Sequence, residues 1–146
     1  MQLLVICVGN ICRSPYAAAC LQVAHPAAQV ISAGLGALID HPADPLVQQL
    51  AAEQGLDLSR HVARQVLAEQ VREADLVLTM SLGQQQELIT RFPFARGRVF
   101  RLGHWIGQDI PDPYQHPETV HRQVQAQIRE GVATWSTRLA SLMGKQ

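Results

Sequence analysis

Four short apolar runs recur along the chain, and helical spacing of apolar residues appears between and after them. Leu3-Leu4-Val5-Ile6 is continuously apolar and partly β-branched, the composition of a strand buried on both faces of a parallel sheet, and it ends at Cys7. From Pro15 onward, Ala17, Cys20, Leu21 and Ala24 recur at i, i+3, i+4 and i+7, the stripe of a helix packed on a core, with Pro15 suited to its first turn. Val30-Ile31-Ser32-Ala33 reads as a second strand. Asp44-Pro45 then sets a capping side chain and a first-turn proline before a helix that ends near Gly55. Leu76-Val77-Leu78-Thr79 is a third strand, and Ser81 and Gln84 have capping-box spacing for a helix through about Arg91. Val99-Phe100-Arg101-Leu102 is a fourth strand. His116-Pro117-Glu118 opens a long helix whose apolar positions, Val120, Val124, Ile128, Val132, Trp135, Leu139 and Leu142, step by three or four.

Strands alternating with helices imply βαβ crossovers. The expected fold is α/β: a three-layer sandwich with a four-stranded, parallel, doubly wound sheet and helices on both faces. Ligands in such sheets bind beyond the carboxyl ends of the strands, where the strand order reverses. That directs attention to the loop after the first strand, then to Ser32-Ala33-Gly34 and residues 109–114. The stretch 103–116 is too long and too rich in Pro, Asp and Gly for a tight connection.

The chain has 146 residues, 47% of them hydrophobic and 16% charged, which fits one domain over 1–146 with a core that needs neither disulfides nor metal. Eleven arginines and Lys145 balance six Asp and six Glu with no block of either sign, against a nucleic-acid or membrane surface. No apolar stretch approaches the ~18–20 residues that span a bilayer, and no basic leader precedes the first apolar run, so a cytoplasmic protein without membrane insertion is expected. Cys7, Cys12 and Cys20 are odd in number and clustered, unlike a secreted disulfide framework. The histidines at 25, 41, 61, 104, 116 and 121 show no metal-ligand pairing, so no metal is expected. Gly34-Leu35-Gly36 lacks the third glycine of a dinucleotide loop, and no organic cofactor is expected.

Between strand and helix the sequence runs Cys7-Val8-Gly9-Asn10-Ile11-Cys12-Arg13-Ser14-Pro15. A loop wound around a helix N-terminus directs its N–H groups at one point, and the helix dipole adds about half a positive charge there. Such a cradle, formed by residues 8–14, holds a tetrahedral dianion. Arg13 supplies a planar, permanently charged fork that matches two phosphate oxygens. Cys7 lies at the bottom, where amides, dipole and guanidinium all favour the thiolate, the nucleophilic form. Ser14 is placed to donate to that thiolate, Gly9 to permit unusual backbone angles, and Asn10 to bond the loop or to accept a positive φ.

These residues resemble the signature loop of the low-molecular-weight protein tyrosine phosphatases. Ser32-Ala-Gly-Leu-Gly-Ala-Leu38, His61-Val-Ala-Arg-Gln65, Ala74-Asp-Leu-Val-Leu-Thr-Met80, Leu102-Gly-His-Trp105 and Ile110-Pro-Asp-Pro-Tyr114 are similar to the bacterial branch. That resemblance implies hydrolysis of phosphotyrosine through a cysteinyl phosphate. The partner it implies is an autophosphorylating bacterial tyrosine kinase that controls exopolysaccharide or capsule export, met by a monomer or weak dimer. It implies Asp112, before Pro113, as the general acid that protonates the leaving phenoxide, with Asp109 as the rival position. It also implies Leu38 and Tyr114 as walls of the cleft, although Leu38 read alone fits a core position as well.

Where relatives carry an acidic residue and, three positions on, a histidine, this chain has Ser81 and Gln84. Cys12 is placed for a reversible disulfide with Cys7, or alternatively packs under the loop; Cys20 belongs to the helix core. His41 and His61 are candidates to hold the site loops. Two other functions share the cradle. One is a non-catalytic phosphoprotein-binding module, which needs no acid; the other is a thiol-dependent arsenate reductase, which needs cysteines beyond Cys20.

Overall fold

In the computed structural model, which describes residues 1–143, the expected alternation is present. The elements are β1 (Gln2–Cys7), α1 (Arg13–Ala24), β2 (Gln29–Gly34), α2 (Pro45–Glu53), α3 (Ala68–Glu73), β3 (Leu76–Thr79), α4 (Leu82–Arg91), β4 (Val99–Arg101) and α5 (Glu118–Met143). Short 3-10 turns sit at Pro93–Ala95 and His104–Ile106. The sheet order is β2-β1-β3-β4 and all three pairings are parallel. The chain steps outward from β1 to β2, then recrosses to β3 and on to β4. The order therefore reverses beside the carboxyl end of β1, and the loop after Cys7 opens into that crevice.

Strand alternation sorts the side chains into two cores. Leu3, Val5, Leu76 and Leu78 pack with Tyr16, Ala17 and Leu21 of α1, Val47 of α2, and Val124, Ile128, Val132, Trp135 and Leu139 of α5. Leu4, Ile6, Val77 and Val99 point the other way, onto Val71 of α3, Leu88 of α4 and Ala95. Both faces of the sheet are covered, which is why the strands read as unbroken apolar runs.

Several helices differ in detail from the expectation. Helix α1 starts at Arg13, two residues before Pro15, which places the arginine in the first turn. Beyond its buried first turn, its buried residues are Tyr16, Ala17 and Leu21, while Cys20 is half-buried and Ala24 exposed. Tyr16 takes a core position because its hydroxyl is served there, accepting from Arg129 Nη1 at 2.9 Å and bonding Gln54. Helix α3 has one buried apolar residue, Val71, too few to leave a periodicity; Gln70 Oε1 holds its start by accepting from Leu67 N at 2.9 Å. At the far end of α5, Leu142 has left the stripe for solvent. Half of the capping box expected at Ser81 is present: Ser81 Oγ accepts from Gln84 N at 3.1 Å, but Gln84 Oε1 reaches one residue further back and accepts from Met80 N at 2.9 Å instead of Ser81 N. Among the described residues no helix is long and apolar enough to cross a membrane.

Candidate active site

The loop after β1 is held by its carbonyls. Five successive oxygens, Cys7 to Ile11, each accept from a group outside the loop: Leu35 N (2.9 Å), Gly36 N (3.0 Å), Leu38 N (3.1 Å), His61 Nε2 (2.7 Å) and Asp44 N (2.9 Å). The first three donors come from the segment that follows β2. With every carbonyl drawn outward, the N–H groups turn the other way. Asn10 N donates to Cys7 Sγ at 3.3 Å, and among the described residues the N–H groups of Val8, Gly9, Ile11 and Cys12 meet no protein acceptor. The result is an inward-facing set of N–H donors, a geometry suited to an anion.

Two backbone conditions make the ring possible. Asn10 adopts φ +60°, the left-handed region that asparagine tolerates better than most residues. Gly34 lies against the loop, where a Cβ would overlap the Val8 carbonyl oxygen. Gln65 then staples the segment that follows Gly34, accepting from Ala37 N at 3.0 Å and donating to Leu35 O at 2.8 Å.

Asn10 also holds the hydroxyl that lies beside Cys7. Its Oδ1 accepts from Arg64 N at 3.0 Å, so its Nδ2 must donate, and it does so to Ser14 Oγ (2.8 Å) and Ser32 Oγ (3.0 Å). Ser14 Oγ, which accepts from Asn10, lies 2.9 Å from Cys7 Sγ, within reach to donate its own hydrogen to a thiolate there. Cys7, Asn10 and Ser14 are all buried.

Arg13 is 6% exposed, and its Nη1 donates to Ile110 O at 2.8 Å, so the guanidinium is anchored to the loop that carries Asp112. The Asp112 carboxylate is 3.8 Å from Arg13 Nη2 and 56% exposed, and its Oδ1 accepts from Tyr114 N at 3.0 Å. The rival Asp109 faces away: its Oδ1 accepts from Arg101 Nη1 (3.0 Å) and Leu82 N (3.2 Å). Cys7, Arg13 and Asp112 therefore meet at one cleft of about 200 Å³, walled by Val8, Ile11, Leu38 and Tyr114. Leu38 is exposed at the cleft rather than in the core. Cys12 is buried beside the cradle; burial first, and the Asp44 carboxylate second, push its thiol above the usual cysteine range. Cys20 lies away from the cleft, half-buried on α1.

Ser32, Arg64 and Gln65 carry the loop without standing out by spacing. Segment 61–66 has no helical or strand periodicity, and its resemblance to the bacterial phosphatases is the signal that marks it.

The family model for low molecular weight phosphotyrosine protein phosphatase matches residues 2–144. The chain belongs to this family. It is 42% identical over 134 residues to the low molecular weight protein-tyrosine-phosphatase Ptp of Acinetobacter johnsonii, covering 92% of this chain and 94% of that one. Among solved structures it resembles Vibrio vulnificus Wzb in complex with benzylphosphonate, with TM-score 0.91, 37% identity, and coverage of 94% and 97%. It also resembles the YwlE arginine phosphatase of Geobacillus stearothermophilus, with TM-score 0.93, 29% identity, and coverage of 99% and 96%. Members of the phosphatase family are hydrolases, and this chain is a low-molecular-weight protein-tyrosine-phosphatase by that membership.

Burial gives the His61 contact a pH dependence. Desolvation lowers the His61 pKa, the Asn10 carbonyl opposes this, and the Arg64 charge adds to it. The folded protein holds the ring neutral below the ordinary value of about 6.5, at which the unfolded chain takes up its proton. The unfolded state therefore binds more protons below that value. The stabilisation is complete above about pH 6.5 and is lost as the pH falls through the lowered folded pKa. Thermal unfolding should show the wild type losing more stability between about pH 7.5 and 5 than His61→Gln does, since glutamine offers an N–H donor that does not titrate. Equal losses would contradict this role for His61.

Proposed function

We propose that the protein hydrolyses phosphotyrosine through a cysteinyl-phosphate intermediate. The single observation that carries this reading is the convergence of Cys7, Arg13 and Asp112 on one apolar-walled cleft. The phosphoryl oxygens sit among the loop N–H groups and the Arg13 guanidinium. Cys7 Sγ attacks phosphorus in line as the P–O bond to the phenol breaks, and Asp112 delivers its proton to the departing oxygen. In the second step the Asp112 carboxylate takes a proton from water, the water oxygen attacks phosphorus, and the S–P bond breaks. The Ser14 hydroxyl, within reach of Sγ, stabilises the returning thiolate. Arg13, tied through Nη1 to Ile110 O, keeps the acid loop and the phosphate site in one frame.

Substrate preference follows from the walls. A phenyl ring gains from contact with Val8, Ile11, Leu38 and Tyr114, whereas the guanidinium of a phosphoarginine would find only the Asp112 carboxylate and the Tyr114 hydroxyl as side-chain oxygen acceptors in the lining. That favours tyrosine over the substrate in the YwlE name. The partner is a phosphotyrosine protein, an autophosphorylating bacterial tyrosine kinase of exopolysaccharide or capsule export, as the resemblance to the Wzb type implies. The acid at Asp112 argues against a pure binding module. With Cys20 away from the cleft and no cysteine after it, arsenate reduction lacks its relay.

Cys12 serves as the resolving thiol. Peroxide converts Cys7 to the sulfenic acid, and condensation with the Cys12 thiol releases water and forms a disulfide that an external thiol reduces.

Two measurements test these assignments. With EDTA present, wild-type protein should turn over phosphotyrosine peptide and phenyl phosphate but not phosphoarginine, and Cys7→Ser should abolish turnover. Asp112→Asn should lower kcat/KM on phenyl phosphate by about 10²–10⁴. Retained activity in Cys7→Ser, or preference for phosphoarginine, would overturn the reading. After one equivalent of peroxide, dithiothreitol should restore the wild type but not Cys12→Ala, and equal recovery in both would remove Cys12 from the redox role.

A further inference from the structure

We propose that Asp109 is a positioning residue that sets the reach of the general acid Asp112, an inference that rests on the phosphatase reading above. The first part of the segment between β4 and α5 is anchored by His104 and Trp105, which pack on Trp135 of α5, whereas the stretch from Gly107 to Asp112 is held at fewer points, chiefly the buried Ile110. The segment doubles back after Gly103, where a Cβ would overlap the Gln108 carbonyl, and passes through Gly107 at φ +69°. From there to Asp112 the backbone is tied at Ile110, whose N–H donates to Met80 O at 2.8 Å and whose carbonyl accepts from Arg13. The side chain of Asp109 supplies a further tie. One oxygen, Oδ1, accepts from Arg101 Nη1 at the end of β4 and from Leu82 N at the first turn of α4. The second bond engages an N–H that a helix start leaves unsatisfied, and a carboxylate there is favoured by the dipole.

These ties lie in series. Arg101 and α4 hold Asp109; Asp109 is covalently joined to Ile110; Ile110 is gripped by Arg13; and Asp112 follows two residues later on the cleft. Asp112 has an exposed carboxylate whose hydrogen-bond partner is Tyr114 N on its own loop, so its position is only as definite as the segment behind it. As a contribution to stability the Arg101–Asp109 pair is small, because Asp109 is about half exposed and such pairs are screened. As a geometric constraint it is larger, because proton delivery depends on distance, and a misplacement of about 1 Å can cost on the order of 10²-fold in rate.

The test separates positioning from bulk structure by leaving group. Asp109→Ala should lower kcat/KM on phenyl phosphate by about 10- to 100-fold and on para-nitrophenyl phosphate far less, since an activated phenol needs little protonation. Arg101→Ala, which removes the other half of the tie, should steepen the leaving-group dependence in the same direction. In an Asp112→Asn background, Asp109→Ala should add nothing to that dependence, because it acts through the acid. Equal losses on both substrates, or a further steepening on top of Asp112→Asn, would overturn the proposal. Should Asp112→Asn itself leave the dependence unchanged while Asp109→Ala steepens it, Asp109 is the acid and the positioning role is refuted. If neither variant alters it in an active enzyme, the acid assignment fails together with its positioning residue. Loss of turnover by the wild type would instead refute the phosphatase reading.

Discussion

The site depends on where five carbonyl groups point. A peptide unit that directs its oxygen one way directs its N–H roughly the other, so engaging the oxygens of Cys7 to Ile11 on an outer ring turns the loop's donors inward. No single contact in that ring is unusual. Its effect lies in continuity: the segment after β2 covers three oxygens, a histidine covers the oxygen of a left-handed asparagine, and the backbone of a helix-capping aspartate covers the last. An anion site built in this way needs one charged side chain, Arg13, because the remainder of its positive potential comes from backbone N–H groups and the start of α1.

The doubly wound sheet supplies the location. Because β1 is flanked by β2 and β3, the chains leaving its neighbours diverge, and the loop after Cys7 has room to close on itself. The same arrangement brings in the other components from a distance in sequence. The segment after β2 gives the ring its first three donors, α2 gives Asp44, and the segment after β4 gives Ile110 and Asp112. Arg13 connects the two sides by bonding the carbonyl of Ile110 while its remaining N–H groups face the cleft. Cys7 and Asp112 are separated by more than a hundred residues in the chain, yet they are held in one frame by this arginine.

Much of this was legible in the sequence, for definite reasons. The four strands are buried on both faces and read as unbroken apolar runs; α5 carries a long stripe; Asp44 and Ser81 announce helix starts. Cys7, Arg13 and Ser14 stood out because their spacing between a strand and a helix already describes a cradle. Helix α3 did not, since one buried valine makes no period, and Tyr16 was passed over because its hydroxyl reads as polar until Gln54 and Arg129 are seen beside it. The outer ring was legible only in part. Its members are backbone groups and residues such as Ser32 and Gln65 whose role lies in long-range hydrogen bonds, and hydrophobic periodicity carries no record of those. Asp112 stood ahead of Asp109 through Pro113 and the family resemblance, and of the two it is Asp112 that lines the cleft while Asp109 bonds Arg101.

The most direct test of the inward-facing loop is the backbone amide spectrum of Cys7→Ser protein titrated with inorganic phosphate. The account predicts that the N–H resonances of residues 8–14 shift downfield together, with the Arg13 side chain, as a single site saturates. Shifts that spare these amides, or that centre on another surface while phosphate binds, would contradict it.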